Sequence, residues 1–184
     1  MAVNRKVAVI IGSLRKESIN RKLALAVEKL APPGLVFEHL RIDDLPLFNQ
    51  DHEAEPPEPV ARMKQAIVAA DAVLLVTPEY NRSIPGVLKN AIDWGTRPRG
   101  KNSFTDKPAG VIGASGGALG SSMAQQHLRN VLACLDVPTL GLPEVFIYAR
   151  DGFFDKAGNI DESSRKFLQH WMDQYVAWVK LHAA

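Results

Sequence analysis

Residues 6–20 carry the sequence KVAVIIGSLRKESIN, in which an apolar run stops at Gly12 and a short polar loop follows. From Ser18 onward the apolar residues recur at helical spacing, at Ile19, Leu23, Val27 and Leu30. This order predicts a buried strand that feeds a helix through a loop. The free N–H groups and the positive dipole end of such a helix attract anions. The stretch therefore predicts an anion site at the end of the first strand.

The loop itself carries side chains that suit a phosphate group. Ser13, Ser18 and Asn20 can donate hydrogen bonds, and Arg15 adds a positive charge. A helix cap would explain Ser18 alone, but it does not account for the other three. The glycine patterns of a P-loop and of a Rossmann dinucleotide loop are both missing from the chain. Hydroxyl donors suit a terminal monophosphate, so the loop favours a mononucleotide such as FMN.

Composition and charge favour a single soluble domain. The 184 residues carry a formal net charge of +2, and no basic block with interleaved aromatic residues indicates nucleic-acid binding. No apolar stretch approaches membrane-spanning length, so we expect no membrane partner. The lone Cys134 excludes an internal disulfide, and its apolar neighbours predict a small core residue. We expect one domain over residues 1–184, located in the cytoplasm.

Stretches rich in apolar residues predict five strands, at residues 7–11, 35–42, 72–76, 109–114 and 145–148. Helical segments separate them, which predicts an α/β fold with right-handed crossovers and a five-stranded parallel sheet. The second stretch contains Glu38 and Arg41 and fits an edge, whereas the third is wholly apolar and fits the sheet centre. The expected order is 2-1-3-4-5, that of a flavodoxin-like three-layer sandwich with helices on both faces.

In this order the loops after the first, third and fourth strands meet at the carboxyl edge of the sheet, where such folds bind ligands. These loops are residues 12–18, 77–84 and 115–120. In the second loop prolines stiffen the chain, and Tyr80 can lie against a planar ring. In the third loop Gly116 and Gly117 let backbone approach a ring closely. A rigid turn before a helix and an ordinary glycine loop remain the alternative interpretations of these two segments.

Three stretches carry a family resemblance: GSLRKESIN at 12–20, TPEYN at 77–81 and IPGVLKNAIDW at 84–94. They resemble the signatures of the NADPH-dependent FMN reductase family, and in particular its bacterial chromate and quinone reductase branch. The resemblance covers essentially the whole chain and implies a flavodoxin-like fold that binds FMN non-covalently. One position departs from the family pattern, because Gly120 is followed by Ser121 where the third loop usually closes on a pair of glycines.

The same resemblance implies roles for individual residues. It assigns Ser13, Arg15, Ser18 and Asn20 to the FMN phosphate and counts Ile19 among the cofactor-binding residues. It assigns Pro78, Glu79, Tyr80 and Asn81 to the isoalloxazine and ribityl region. It assigns Ser115, Gly116 and Gly117 to the pyrimidine side of the ring. No catalytic side chain is required, because hydride transfer takes place at the flavin.

These observations predict an FMN-dependent oxidoreductase that passes hydride from NAD(P)H through bound FMN to a small-molecule acceptor. Quinones are the expected acceptors, and chromate, azo and nitro compounds are further ones. The histidines show no metal-ligand spacing, so no metal is expected. Family resemblance also implies a homodimer or homotetramer. The cluster of Arg97, Arg99 and Lys101 is hypothesised to draw anionic acceptors or the NADPH phosphate toward a neighbouring site.

Three other functions stay open from the sequence. The first is a flavodoxin-type electron carrier without pyridine-nucleotide activity of its own. The second is an FMN reductase that supplies reduced flavin to a partner monooxygenase. The third is a nucleotide-binding or stress-sensing module without enzymatic activity.

Overall fold

Strands and helices alternate along the chain in the computed structural model, which describes residues 4–183. The strands are β1 Arg5–Ile11, β2 Leu35–His39, β3 Ala72–Val76, β4 Ala109–Ser115 and β5 Phe146–Tyr148. The helices are α1 Ile19–Glu28, α2 Glu58–Val68, α3 Gly86–Gly95, α4 Ser122–Cys134 and α5 Glu162–His182, with a 3-10 turn at Gln50–His52. Such alternation brings parallel strands together through crossover helices.

All five strands are parallel and stand in the order β2-β1-β3-β4-β5, so the predicted order is confirmed. Every residue of β3 is buried, as predicted for the sheet centre. The side chains of β2 are only partly covered, as predicted for an edge strand. The chain reverses its direction of travel across the sheet between β1 and β3, and ligands of open α/β sheets bind at such a switch point.

Helices cover both faces of the sheet, because the side chains of β1 alternate between two apolar layers. Val7 and Val9 pack with α1 and α5, whereas Ala8 and Ile10 pack with α2, α3 and α4. The predicted three-layer sandwich is therefore confirmed. Among the helices of residues 4–183, none is both long enough and apolar enough to cross a membrane.

Two predicted details are wrong. The strand expected over residues 35–42 ends at His39. The N–H of Leu40 still donates to the Val9 carbonyl of β1 at 2.9 Å, and beyond it the exposed side chain of Arg41 donates to the carboxylate of Asp43 at 2.9 Å. Cys134, expected in the core, is exposed at the end of α4. Its apolar neighbourhood covers more than one helical turn of 3.6 residues, so only part of it can face the sheet, and that part includes Leu132.

Candidate functional site

Three loops lie together at the carboxyl edge of the sheet, after β1, β3 and β4. The N–H of Gly12 donates to the Val76 carbonyl at 2.9 Å, and that of Thr77 donates to the Ile112 carbonyl at 3.0 Å. A Cβ at Gly12 would lie 3.5 Å from the Cδ atom of Pro78, which is itself buried. The first and second loops are therefore in contact, and the end of β4 adjoins the second.

The first loop ends in a capped helix. The Oγ atom of Ser18 accepts a hydrogen bond from the N–H of Arg21 at 3.2 Å, as expected for an N-cap residue. The N–H groups of Ile19 and Asn20 come before the first intrahelical hydrogen bond. They lie at the positive end of the helix dipole, where an anion is stabilised.

The other predicted phosphate residues differ in exposure. Ser13 and Ser18 are buried at the end of β1 and at the start of α1, so their hydroxyls have fixed positions. Arg15 is exposed on the loop between them. The arrangement combines two fixed hydroxyl groups with one guanidinium group that is free to reach a ligand.

Asn20 has a structural role that sequence reasoning missed. Its side chain is 3% exposed and makes two hydrogen bonds to the backbone of Ala114. The Asn20 Nδ2 atom donates to the Ala114 carbonyl at 2.9 Å, and the Ala114 N–H donates to Asn20 Oδ1 at 2.9 Å. These bonds fix the first turn of α1 against β4. One amide hydrogen of Asn20 remains for a ligand, so its phosphate role stays a prediction.

The carboxylate of Glu79 caps a helix that follows a different loop. Its Oε2 atom accepts hydrogen bonds from the N–H groups of Met123 at 2.9 Å and Ala124 at 3.1 Å, in the first turn of α4. The N-cap residue Ser121 makes no such bond with its own side chain. A negative charge at this end of a helix is favourable. Glu79 therefore ties the second loop to the third.

A tight turn follows Glu79. Tyr80 and Ser83 exchange two backbone hydrogen bonds of 2.9 Å, and both intervening residues, Asn81 and Arg82, have positive φ values of 51° and 64°. This is the conformation of a two-residue hairpin turn. Tyr80 remains 55% exposed, so its ring is available to a ligand. The Oγ atom of Ser83 lies 2.6 Å from Nδ1 of His127 on α4, and this hydrogen bond also holds the turn against α4.

The third loop presents bare backbone. The hydroxyl of Ser115, the last residue of β4, donates to the Gly117 carbonyl at 2.9 Å. A Cβ at Gly116 would meet nothing within 4 Å, so this backbone faces open space that a planar ring can occupy. Gly120 has a φ of +57°, and a Cβ there would lie 2.5 Å from the carbonyl carbon of Phe146. Only glycine fits that position.

The cationic cluster after α3 lies away from these loops. Helix α3 starts beside the second loop and runs for 10 residues, so its far end is about 15 Å from the carboxyl edge. Arg97, Arg99 and Lys101 follow that far end. The ammonium group of Lys64 donates to the carbonyls of Gly95, Arg97 and Lys101. Burial, assisted by the charge of Lys101, lowers the pKa of Lys64.

These residues fit a flavin mononucleotide. Free N–H groups and fixed hydroxyls at the start of α1 suit a terminal phosphate, because the oxygens of a phosphate each need hydrogen-bond donors. The open backbone at Gly116 and the exposed ring of Tyr80 suit a planar ring system. In the part of the chain that the structure describes, no group of three or more His, Cys, Asp or Glu side chains could hold a metal ion.

Comparison with known proteins identifies the family. The family model of NADPH-dependent FMN reductases matches residues 5–150. The chain belongs to the NADPH-dependent FMN reductase family. Within this family, a 2-hydroxy-1,4-benzoquinone reductase from Burkholderia sp is 48% identical over 176 residues, which cover 95% of this chain and 96% of that protein. A quinone reductase from Pseudomonas putida is 48% identical over 179 residues, which cover 97% of this chain and 96% of that protein.

A solved structure is similar over its whole length. The flavoenzyme FerB from Paracoccus denitrificans, an NAD(P)H:(acceptor) oxidoreductase, superposes with a TM-score of 0.94 at 46% identity. The match covers 98% of this chain and 100% of FerB. This FMN reductase family member and FerB therefore share the full five-stranded architecture.

Proposed function

We propose that this protein is an FMN-dependent NAD(P)H:quinone oxidoreductase, with the whole chain forming one flavin-binding domain. The observation that carries the proposal is the meeting of an anion-binding helix end with two ring-accepting loops at one edge of the sheet. Family membership and the quinone reductases at 48% identity support the same activity.

The proposed roles follow the contacts in the three loops. Ser13, Arg15 and Ser18, together with the N–H groups of Ile19 and Asn20, bind the phosphate. The backbone of residues 78–81 borders the isoalloxazine ring, with Tyr80 beside it. The backbone of Ser115, Gly116 and Gly117 lies along the pyrimidine side. The charge of Arg15 and the dipole of α1 offset the two negative charges of the phosphate.

Bound FMN would supply the redox chemistry, as the acceptor of hydride from NAD(P)H and the donor of two electrons to a quinone. The chain's own residues hold the ring and leave one side of it open to both small-molecule substrates. Glu79 is the acidic residue of the second loop, and its carboxylate accepts hydrogen bonds from two N–H groups of α4. We therefore assign it a positioning role. The quinone takes its protons from solvent.

Assembly and location are further parts of the proposal. We propose a homodimer or homotetramer in which Arg97, Arg99 and Lys101 approach the site of a neighbouring protomer. Their position about 15 Å from the three loops of their own protomer supports this arrangement. The single cysteine of the chain fits a reducing compartment, which supports a cytoplasmic location.

An absorbance spectrum of the purified protein tests the proposed function. We expect flavin bands that survive gel filtration, are bleached by NADPH or NADH without any second protein, and return when benzoquinone is added. Sustained NAD(P)H consumption with benzoquinone identifies the enzyme. A flavin that resists bleaching would indicate an electron carrier, and a flavin lost on gel filtration would indicate a supplier of reduced FMN. A colourless protein that takes up no added FMN would contradict the proposal.

A further inference from the structure

A cleft of about 550 Å³ lies beside the first loop, on the side away from the ring-accepting loops. Its walls are α1 and the residues that follow β2, and they include Ser13, Leu14, Arg21, Leu25, His39 and Arg41. Pockets for nucleotide-sized ligands have volumes of roughly 300–1,000 Å³. None of the FMN-binding roles proposed above uses this cleft, apart from that of Ser13 at its rim.

The cleft carries a surplus of positive charge. Arg21 is exposed on the first turn of α1, and within residues 4–183 no ion pair or hydrogen bond engages its guanidinium group. On the opposite wall, the Nε atom of Arg41 donates to Asp43 at 2.9 Å. The next carboxylate, that of Asp44, is held by both terminal nitrogens of Arg62 at 2.9 Å. The lining of the cleft therefore holds two guanidinium groups, those of Arg21 and Arg41, and one carboxylate, that of Asp43, so Arg21 is the uncompensated cation.

Apolar surface adjoins this charge. Leu14 and Leu25 are 46% and 47% exposed, which leaves two leucine side chains uncovered beside one guanidinium group. Leu25 lies four residues after Arg21 on α1, so both project from the same face of the helix. A ligand that combines a flat apolar group with an anion matches this surface.

In the doubly wound sheets that bind dinucleotides, the end of the second strand is part of the binding site. There the residues after the second strand contact the adenosine ribose, and an arginine accommodates the 2′-phosphate of NADP. Arg41 stands two residues after the end of β2 in the present chain. The cleft lies at β2 and β1, and the ring-accepting loops follow β3 and β4. Two strand spacings separate these places by about 10 Å, which an extended dinucleotide spans.

We propose that this cleft binds the 2′-phosphoadenosine end of NADPH, with Arg21 as the principal phosphate contact and Arg41 as the second. The adenine lies against Leu14 and Leu25. This inference rests on the proposed function, because it concerns the hydride donor of the same reaction. It makes the protein selective for NADPH over NADH.

Calorimetric titration of the FMN-loaded protein with 2′,5′-ADP and with 5′-AMP tests the site without turnover. We expect 2′,5′-ADP to bind about tenfold more tightly, because only its 2′-phosphate reaches Arg21. Arg21→Ala should abolish the difference, and Arg21→Lys should keep part of it. Lys22→Ala is the matched control: it removes the same charge one residue away, from a side chain paired with Glu17 at 3.3 Å outside the cleft. Equal binding of the two nucleotides, or equal effects of Arg21→Ala and Lys22→Ala, would overturn the proposal.

Steady-state kinetics give an independent readout. In Arg21→Ala we expect the KM for NADPH to rise about tenfold, with kcat within twofold of the original value and the KM for NADH little changed. A parallel change with both donors, or no change with either, contradicts the site. Failure of the protein to oxidise either donor would remove the proposed function, and the calorimetric comparison would then decide the nucleotide site on its own.

Discussion

The two halves of the carboxyl edge are built in different ways. At β3 and β4 the loops are braced by side chains: Glu79 caps α4, and Asn20 is hydrogen-bonded to Ala114. At β1 and β2 the functional cations are exposed, and Arg15 and Arg21 project from the loop and the helix. A flat ring needs a surface of fixed shape, whereas a phosphate is held by charge and by donors that can adjust to it. The braced loops therefore suit the ring of FMN, and the exposed cations suit a phosphate group.

The side of the edge at β3 and β4, held by Glu79 and Asn20, is the braced half, and the side at β1 and β2, with Arg15 and Arg21 exposed, is the open half. Substitutions in the braced half should lower the free energy of unfolding of the protein without ligand. Substitutions in the open half should change that free energy by at most about 0.5 kcal/mol, and those of its functional cations should act on ligand affinity.

The largest expected effect is that of Asn20→Ala. The substitution leaves the buried N–H and carbonyl groups of Ala114 without their partners, and each unsatisfied group costs about 1–3 kcal/mol. We expect the free energy of unfolding of the FMN-free protein to fall by about 2–4 kcal/mol in urea denaturation. The control is Asn130→Ala, at an exposed position of α4, which should change stability by less than about 0.5 kcal/mol. A loss below about 1 kcal/mol for Asn20→Ala would show that its bonds do not brace the edge.

The second effect is that of Glu79→Ala. Removing the carboxylate leaves two N–H groups of α4 uncapped and withdraws a charge from the helix dipole, at a cost of about 1–2 kcal/mol. Glu79→Gln keeps an acceptor oxygen and should lose about half as much. Urea denaturation of the FMN-free protein measures both. Glu55→Ala removes an exposed carboxylate elsewhere, and an equal loss there would mean that net charge, rather than capping, sets the stability.

The third prediction concerns the open half. Arg15→Ala should weaken FMN binding about tenfold and leave riboflavin binding nearly unchanged, because riboflavin lacks the phosphate. Stability of the ligand-free protein should stay within about 0.5 kcal/mol. Fluorescence titration of both flavins checks this, with Lys16→Ala as a neighbouring loss of the same charge. Equal losses for FMN and riboflavin would mean that Arg15 does not hold the phosphate.

The fold could be predicted from the hydrophobic periodicity of the sequence, but the side-chain hydrogen bonds that hold the loops together could not. The wholly apolar stretch 72–76 and the mixed stretch after Leu35 are sufficient to order the strands, because burial on both faces leaves a direct mark on composition. The contact between Glu79 and α4 joins residues 44 positions apart. Nothing local to the second loop indicates that its glutamate caps a distant helix.

The site residues show the same limit. A strand followed by Ser18 at a helix start predicts an anion site from local features alone, and Ser18 is the N-cap. Asn20 stands in the same stretch, yet its amide contacts Ala114, 94 positions away. The cleft beside β2 has no signal in the sequence, because Arg21 and Arg41 meet there only after the sheet has formed.

The fourth prediction tests the strain in the braced half at Ser121. This residue has a φ of 71°, which costs a non-glycine residue about 1 kcal/mol. Ser121→Gly and Ser121→Ala both lose the hydroxyl that Gln125 contacts at 3.0 Å, but only alanine keeps the strain. We expect the glycine variant to be more stable by about 0.5–1 kcal/mol in urea denaturation. At the helical position Ser122 the order should reverse, because glycine weakens a helix. The same order at both positions would argue against strain at Ser121.

The smallest effect belongs to the open half, at the Arg62–Asp44 pair beside the cleft. The hydrogen bonds from Arg62 hold the pKa of Asp44 below its ordinary value near 4. A depressed carboxylate pKa gives stability that is present above the unfolded value and is lost as the pH falls through the folded one. Arg62→Gln should therefore lower the free energy of unfolding by about 0.5 kcal/mol at neutral pH.

The difference between Arg62→Gln and the unsubstituted protein should shrink as the pH falls below about 4 through the depressed folded-state pKa of Asp44, and it should vanish once the carboxyl is protonated in both proteins. Urea denaturation at a series of pH values measures it. A difference that stays constant into acid would show that Arg62 acts through packing. The neighbouring Arg41–Asp43 pair is exposed, and exposed ion pairs contribute little to folding, so Arg41 can exchange its bond with Asp43 for a ligand phosphate at small cost to the fold. The braced half has no such freedom, since each of its bonds is needed to keep the shape of the edge.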